Sequence, residues 1–359
     1  MRSSPLHRPL SVGIAELRAR YRSAALMCVL DELEKLARSP TVPILLEGES
    51  GTGKTRIARC VHESSARAGG PFHAVNMGGL DDALAGSELF GHVSGAFTDA
   101  RQARAGLFAS SSGGSLFLDE IGKTSLSVQR KLLHVIEGAE MRPIGSDRAI
   151  RIDVRVIAAS NRHLEDLAHE GAFLPDLYAR LQVFCVRLPS LRERRADIPV
   201  LVDDAVDAYR VACGYGHRPD VAPTLMKALI EAPWPNNLRQ LDATVHRIMI
   251  EAQGALELRL DHCVGVARSG DFLMDWGLRT GASWNIGGRG GFVAGMQKRE
   301  AASAMLGGLA AGRVFDVAQS AVTATTGPTP SPLAALASAL PGVASVSAVR
   351  DSRKACFGP

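Results

Sequence analysis

Eight consecutive residues, Gly48-Glu49-Ser50-Gly51-Thr52-Gly53-Lys54-Thr55, have the types and spacing of a phosphate-binding loop. The glycines let backbone N–H groups wrap an anion, and a helix starting at the loop's end points its positive pole at the same place. Lys54 adds one cation for the β- and γ-phosphates, and the Thr55 hydroxyl suits Mg2+. Further on, Ser115-Leu116-Phe117-Leu118-Asp119-Glu120 is an apolar run closed by two acids. Neighbours on a strand point to opposite faces, so the two acids can do different work. Asp119 would hold Mg2+, directly or through water, and Glu120 would polarise an attacking water as general base. ATP and Mg2+ are the expected cofactors. The acid pair favours hydrolysis, and a nucleotide kinase or other P-loop phosphotransferase stays as the alternative class.

These groups can act together only if one sheet edge gathers them. The apolar run over 42–46 reads as the strand feeding the loop, and 55–62 as the helix leaving it. Further strands are expected over 72–76, 115–119, 154–159 and 183–188, with helices between them. Over 127–137, Val128, Leu132, Val135 and Ile136 share one helical face. Strands alternating with helices argue an α/β fold with a doubly wound parallel sheet. After about residue 191 the pattern is helical, over 198–213, 222–232 and 236–252. The expected organisation is a basic tail over 1–20, an α/β nucleotide-binding domain over 21–190 and an all-helical lid over 191–265. A Gly-rich linker follows over 266–295, then a poorly patterned region over 296–359.

The bulk numbers bound the class. A chain of 359 residues with 46% hydrophobic content has enough apolar material for two or three domains. A net charge of +4 is too small to argue nucleic-acid binding alone. The six cysteines form no CxxC pair, which points neither to zinc nor to a disulfide framework. They fit a reduced, cytoplasmic compartment. The first 20 residues lack the apolar core of a signal peptide, and no run approaches membrane-spanning length.

One further stretch decides the family. Ser87-Glu88-Leu89-Phe90-Gly91-His92 runs into Gly95-Ala96-Phe97-Thr98-Asp99-Ala100. This resembles the GAFTGA loop of sigma-54-dependent transcription activators, the bacterial enhancer-binding branch of the AAA+ ATPases. Read as residues, it is a small hydrophobic tip, and an exposed Phe in a loop is suited to touching a partner. The resemblance covers roughly residues 24–264 and implies a AAA+ module. Its expected work is ATP hydrolysis coupled to remodelling of the sigma-54 RNA polymerase closed complex. Ala96, Phe97 and Thr98, with Gly95, Asp99 and Ala100, would face sigma-54, aided by a second loop over 141–146. The resemblance also implies that Asn76 restrains Glu120 until partner contact, and that Asn161 senses the γ-phosphate. Arg180 would be a finger reaching a neighbour's nucleotide in a ring, most simply a hexamer. Arg239, in Trp234-Pro235-Asn236-Asn237-Leu238-Arg239-Gln240-Leu241, would reach the phosphates from the lid, with Asn236 or Asn237 capping its helix. Residues 188–194 resemble the link into that lid.

The chain also departs from the family. Phe173 is followed by Leu174 where an arginine finger is usual, Asp99 replaces Gly, and Asn236 and Gln240 replace Gly and Glu. About 20 N-terminal residues are too few for a sensory domain. Residues 299–302 and 312–321 faintly resemble a helix-turn-helix. However, Pro328, Pro330 and Pro332 forbid a recognition helix there, and 317–349 holds no charge. Promoter or enhancer DNA is therefore a weakly supported partner. Two other readings stay open: a catalytically weak subunit acting in a mixed ring, and a DNA-bound regulator using ATP only to assemble.

Overall fold

The computed structural model of the chain describes residues 13–39, 41–97 and 100–263. Thr98, Asp99, the expected linker and everything expected from residue 296 onward lie outside those residues.

Five strands form the central sheet: β1 Ile44–Glu47, β2 Phe72–Asn76, β3 Ser115–Asp119, β4 Arg155–Ser160 and β5 Cys185–Arg187. Their spatial order is β2-β3-β4-β1-β5. Every neighbouring pair is parallel. All four residues of β1 and all six of β4 are buried, as expected of strands covered on both faces. The register sets Asn76 beside Asp119, and Glu47 beside both Ser160 and Arg187. The carboxyl ends of the strands thus finish on one edge, where open α/β sheets bind ligands.

Among the described residues, ten helices of more than four residues surround and follow the sheet, besides the single turn Leu107–Ser110. They are α1 Ile14–Arg20, α2 Ala24–Ala37, α3 Lys54–Glu63, α4 Asp82–Phe90, α5 Leu126–Gly138, α6 Leu164–His169, α7 Pro175–Leu181, α8 Ile198–Cys213, α9 Pro223–Glu231 and α10 Asn237–Glu251. In α5, Ser125 caps the first turn by accepting from Val128 N–H, and Val128, Leu132 and Val135 are buried as their spacing predicts. The last three helices form the lid. Pro199 sits in the first turn of α8, and Gly214 ends the helix at φ 70°, a conformation glycine adopts without strain.

Two expectations are corrected. Residues 14–20, expected within a tail, form α1, with Ile14 and Leu17 buried and the Ile14 N–H donating to Ser64 Oγ at 2.9 Å. Two apolar residues in one turn are too short a pattern to stand out among arginines. The strand expected over 183–188 starts later, because Gln182–Phe184 is a 3-10 turn.

Candidate functional site

The loop after β1 turns through Gly51 at φ 78° and Gly53 at φ 100°, both in the left-handed region that favours glycine. Lys54 opens α3 and is buried, with its ammonium folded into the loop. Its Nζ donates to the Gly48 carbonyl at 2.7 Å and the Glu49 carbonyl at 3.0 Å. Burial pushes the Lys54 pKa down, and the charges of Asp119 and Glu120 push it back up. Asp119 shows the converse: burial raises its pKa and Lys54 opposes the rise. Thr55 follows Lys54 and is exposed. One cation and two acids therefore act on one another beside the loop.

The chain leaves β3 at Asp119, whose Oδ1 accepts the Glu120 N–H at 3.0 Å. Glu120 lies at φ 56° and ψ 38°. The two acids are thus separated by a left-handed turn rather than by strand alternation, at a cost of about 1–2 kcal/mol. Glu120 Oε2 accepts from Lys123 Nζ at 2.8 Å. Asn76 Oδ1 accepts from Gly78 N–H at 2.8 Å, capping the short turn Met77–Gly79. Asn161 follows β4 and lines a polar cavity with Glu47, Glu49, Arg187 and Arg192. Glu47 ties β1 to α6, meeting His163 Nδ1 at 2.6 Å and accepting the Leu164 N–H at 3.0 Å.

The lid closes directly on the loop. The Leu238 N–H donates to the Gly51 carbonyl at 2.9 Å, and Arg239 Nη1 to Ser50 Oγ at 3.0 Å. Asn237, fully buried at φ 51°, accepts the Leu191 N–H on Oδ1 at 2.7 Å. Its Nδ2 donates to Glu49 Oε2 at 3.1 Å and to the Ser50 carbonyl at 3.0 Å. Arg194, also buried, donates to the Thr52 carbonyl at 2.8 Å. Arg192 pairs with Glu49 through both guanidinium nitrogens, which holds the Glu49 carboxyl below its usual pKa. Neither Asn236 nor Asn237 caps α10 by its side chain. The Asn237 amide is spent on the loop, a role the expected cap did not foresee. Arg194 was legible only as part of the lid linker, and nothing in the sequence marked Lys123.

The partner loop rises from a two-residue ladder, Gly91–His92 against Arg104–Ala105. The Gly95 N–H donates to the Ala100 carbonyl, and the Ala100 N–H to the Phe97 carbonyl. Ala96 lies against Gly145 of the second loop. Phe97 is 46% exposed and meets the His92 ring edge-on at 4.9 Å. The second loop is bound to the first, since the Val93 N–H donates to the Ile144 carbonyl and the Ile144 N–H to that of Gly91. Arg180 is exposed on α7, with Nε donating to Glu137 Oε1 of α5 at 2.8 Å. Leu174 precedes α7, packs on the core, and donates its N–H to Gln129 Oε1 at 2.7 Å.

A phosphate loop, an acid pair at the end of the strand next but one and a helical lid on this sheet define a P-loop NTPase of the AAA+ type. Residues 20–187 match the Sigma-54 interaction domain, and residues 192–263 match the AAA+ ATPase lid domain. The chain belongs to the sigma-54-dependent transcriptional activators. It is 44% identical over 236 residues to the Nif-specific regulatory protein of Herbaspirillum seropedicae, covering 65% of this chain and 43% of that one. It is 40% identical over 263 residues to the anaerobic nitric oxide reductase transcription regulator NorR of Serratia proteamaculans, covering 72% and 51%. Among solved structures, NtrX from Brucella abortus in complex with ADP superposes with a TM-score of 0.60 at 33% identity, covering 67% of this chain and 53% of that one. NtrX was also solved with ATP. The chain spans about half the length of the curated relatives it matches. Among the described residues, no helix is long and apolar enough to cross a membrane.

Proposed function

We propose that this chain hydrolyses ATP within a ring of subunits and uses the cycle to remodel the sigma-54 RNA polymerase closed complex in the cytoplasm. The observation that carries the reading is the convergence of Lys54, Asp119 and Glu120, whose charges act on one another across the loop. Lys54 and the loop N–H groups would bind the β- and γ-phosphates, with Arg239 reaching in from the lid. Asp119 and Thr55 would hold Mg2+, which when bound would neutralise phosphate charge. Glu120 would take the proton of the attacking water, and Asn161 would monitor the γ-phosphate. Likeness to NtrX, solved with ADP and with ATP, supports the nucleotide. The exposed Phe97, with Thr98 beside it in sequence, supports a protein-contacting tip in a chain carrying a sigma-54 interaction domain. Family membership favours this reading over the phosphotransferase alternative.

Lys54→Ala is expected to abolish ATP binding, and Glu120→Gln to keep binding while losing turnover. Thr98→Ala should hydrolyse ATP normally yet fail to hold sigma-54 in the presence of a transition-state nucleotide analogue. Unchanged ATP affinity in Lys54→Ala would sink the nucleotide assignment.

A second reading rests on α7. An apolar Leu174 stands where a finger is usual, and Arg180 is engaged by Glu137 of its own chain. Such a subunit would hydrolyse ATP slowly alone and faster beside a relative that supplies both fingers. Fingers are worth on the order of 10³–10⁵ in rate.

A further inference from the structure

In the reading above, Glu120 must face a water at the γ-phosphate, but its carboxylate is otherwise engaged. We propose that Lys123 is a positioning residue that holds the Glu120 carboxylate in a resting place against the Gly78 turn, braking ATP hydrolysis. The inference rests on the ATPase reading and adds a residue that sets its rate.

The resting place is defined on three sides. Glu120 begins the 3-10 turn Ile121–Lys123, and residues three apart eclipse in such a turn, so the Lys123 stem returns over the carboxylate. The ammonium then bonds Oε2 at 2.8 Å. The second side is the backbone of Glu120, which its left-handed conformation and the Asp119 bond hold in one direction. The third is Gly78. A Cβ at that position would lie 2.2 Å from Glu120 Oε2 and 2.9 Å from Lys123 Cδ. Absence of a side chain at Gly78 is what leaves room for the pair.

Asn76, the restraint that the family resemblance implies, is bonded to its own turn through Oδ1, whereas the Glu120 carboxylate accepts from Lys123. The oxygen that would accept a proton from water is thus committed to an ammonium. The strength of the pair suits a brake that can be released. Lys123 is 52% exposed and Glu120 23%, so water competes for both charges and the pair is weak enough to open within a catalytic cycle. A route for release is also present. The Met77–Gly79 turn that walls the pair leads into α4, and α4 leads into the loop that carries Phe97. Displacement of that loop by a partner is transmitted to the turn against which Glu120 rests.

The test uses the full chain, with Lys123→Ala and Lys123→Arg measured for ATP turnover in the wild-type and Leu174→Arg backgrounds. Lys123→Ala is expected to raise kcat about two- to fivefold, the rate equivalent of a half-exposed ion pair, with the KM for ATP unchanged. Lys123→Arg keeps the charge and should stay near wild type. The same variants are titrated with ADP and with ADP–aluminium fluoride, which needs no turnover. Lys123→Ala should bind the fluoride complex tighter by the same factor and ADP as before. An unchanged or lower kcat, equal acceleration in Lys123→Arg, or unchanged affinity for the fluoride complex would overturn the brake. Failure of the ATPase reading shows separately, as turnover that survives Glu120→Gln.

Discussion

Replacing Asn237 should detach the lid from the phosphate loop, and the structure gives the size of the effect. The side chain makes three hydrogen bonds that join the linker, the loop and α10: one from Leu191 N–H, one to Glu49 and one to the Ser50 carbonyl. Each is worth about 1 kcal/mol net, and stranding the buried Leu191 N–H adds about 1 kcal/mol more. Asn237→Ala also places a Cβ-bearing residue without a polar side chain at φ 51°, at about 1 kcal/mol. The expected loss is about 4–5 kcal/mol. For a folded body of this size that lowers the melting temperature by about 8–20 °C. Asn237→Gly loses the same hydrogen bonds but tolerates the backbone, so it should melt above Asn237→Ala by the conformational part alone. The assay is thermal unfolding followed by circular dichroism, without nucleotide. A shift below about 2 °C in Asn237→Ala would refute the latch, since it is smaller than one buried hydrogen bond can account for.

Two further outcomes are expected. Leu174→Arg should raise ATP turnover at saturating protein and Arg180→Ala should abolish it, with turnover against protein concentration as the check on assembly; a wild-type homomeric ring that is already fast would refute the mixed-ring reading. His62 is buried against Ser115 Oγ at 2.9 Å, and burial holds its pKa below 6.5. Above that pH neither state carries the proton. As pH falls below it the unfolded chain takes up a proton the folded state refuses, so stability declines. His62→Gln should flatten this decline between about pH 7 and 5 in denaturant titrations; an unchanged slope would assign the loss to other groups.

Much of the site could be read from consecutive residues because its physics is local. The glycine spacing from Gly48 to Gly53, the apolar run ending at Asp119 and the start of α3 at Lys54 each depend on neighbours in sequence. Such features obey turn sterics and strand periodicity, so a linear pattern carries them. The register that sets Asn76 beside Asp119 already needs the sheet, but parallel strands covered by helices leave few alternatives.

What the sequence by itself determined is therefore the chemical inventory and the class of fold: a phosphate loop, an acid pair, a Phe-bearing tip and an α/β body followed by helices. Only the tertiary structure decided how those parts are held. Asn237 reaches Glu49 across 188 positions, and Arg194 reaches Thr52 across 142. Arg180 closes on Glu137, 43 positions away, by a hydrogen bond that no periodicity encodes. The reason is that a polar side chain's partner is set by desolvation and geometry after the core has packed. The same asparagine can cap a helix or latch a loop, and burial beside unsatisfied backbone groups chooses between them.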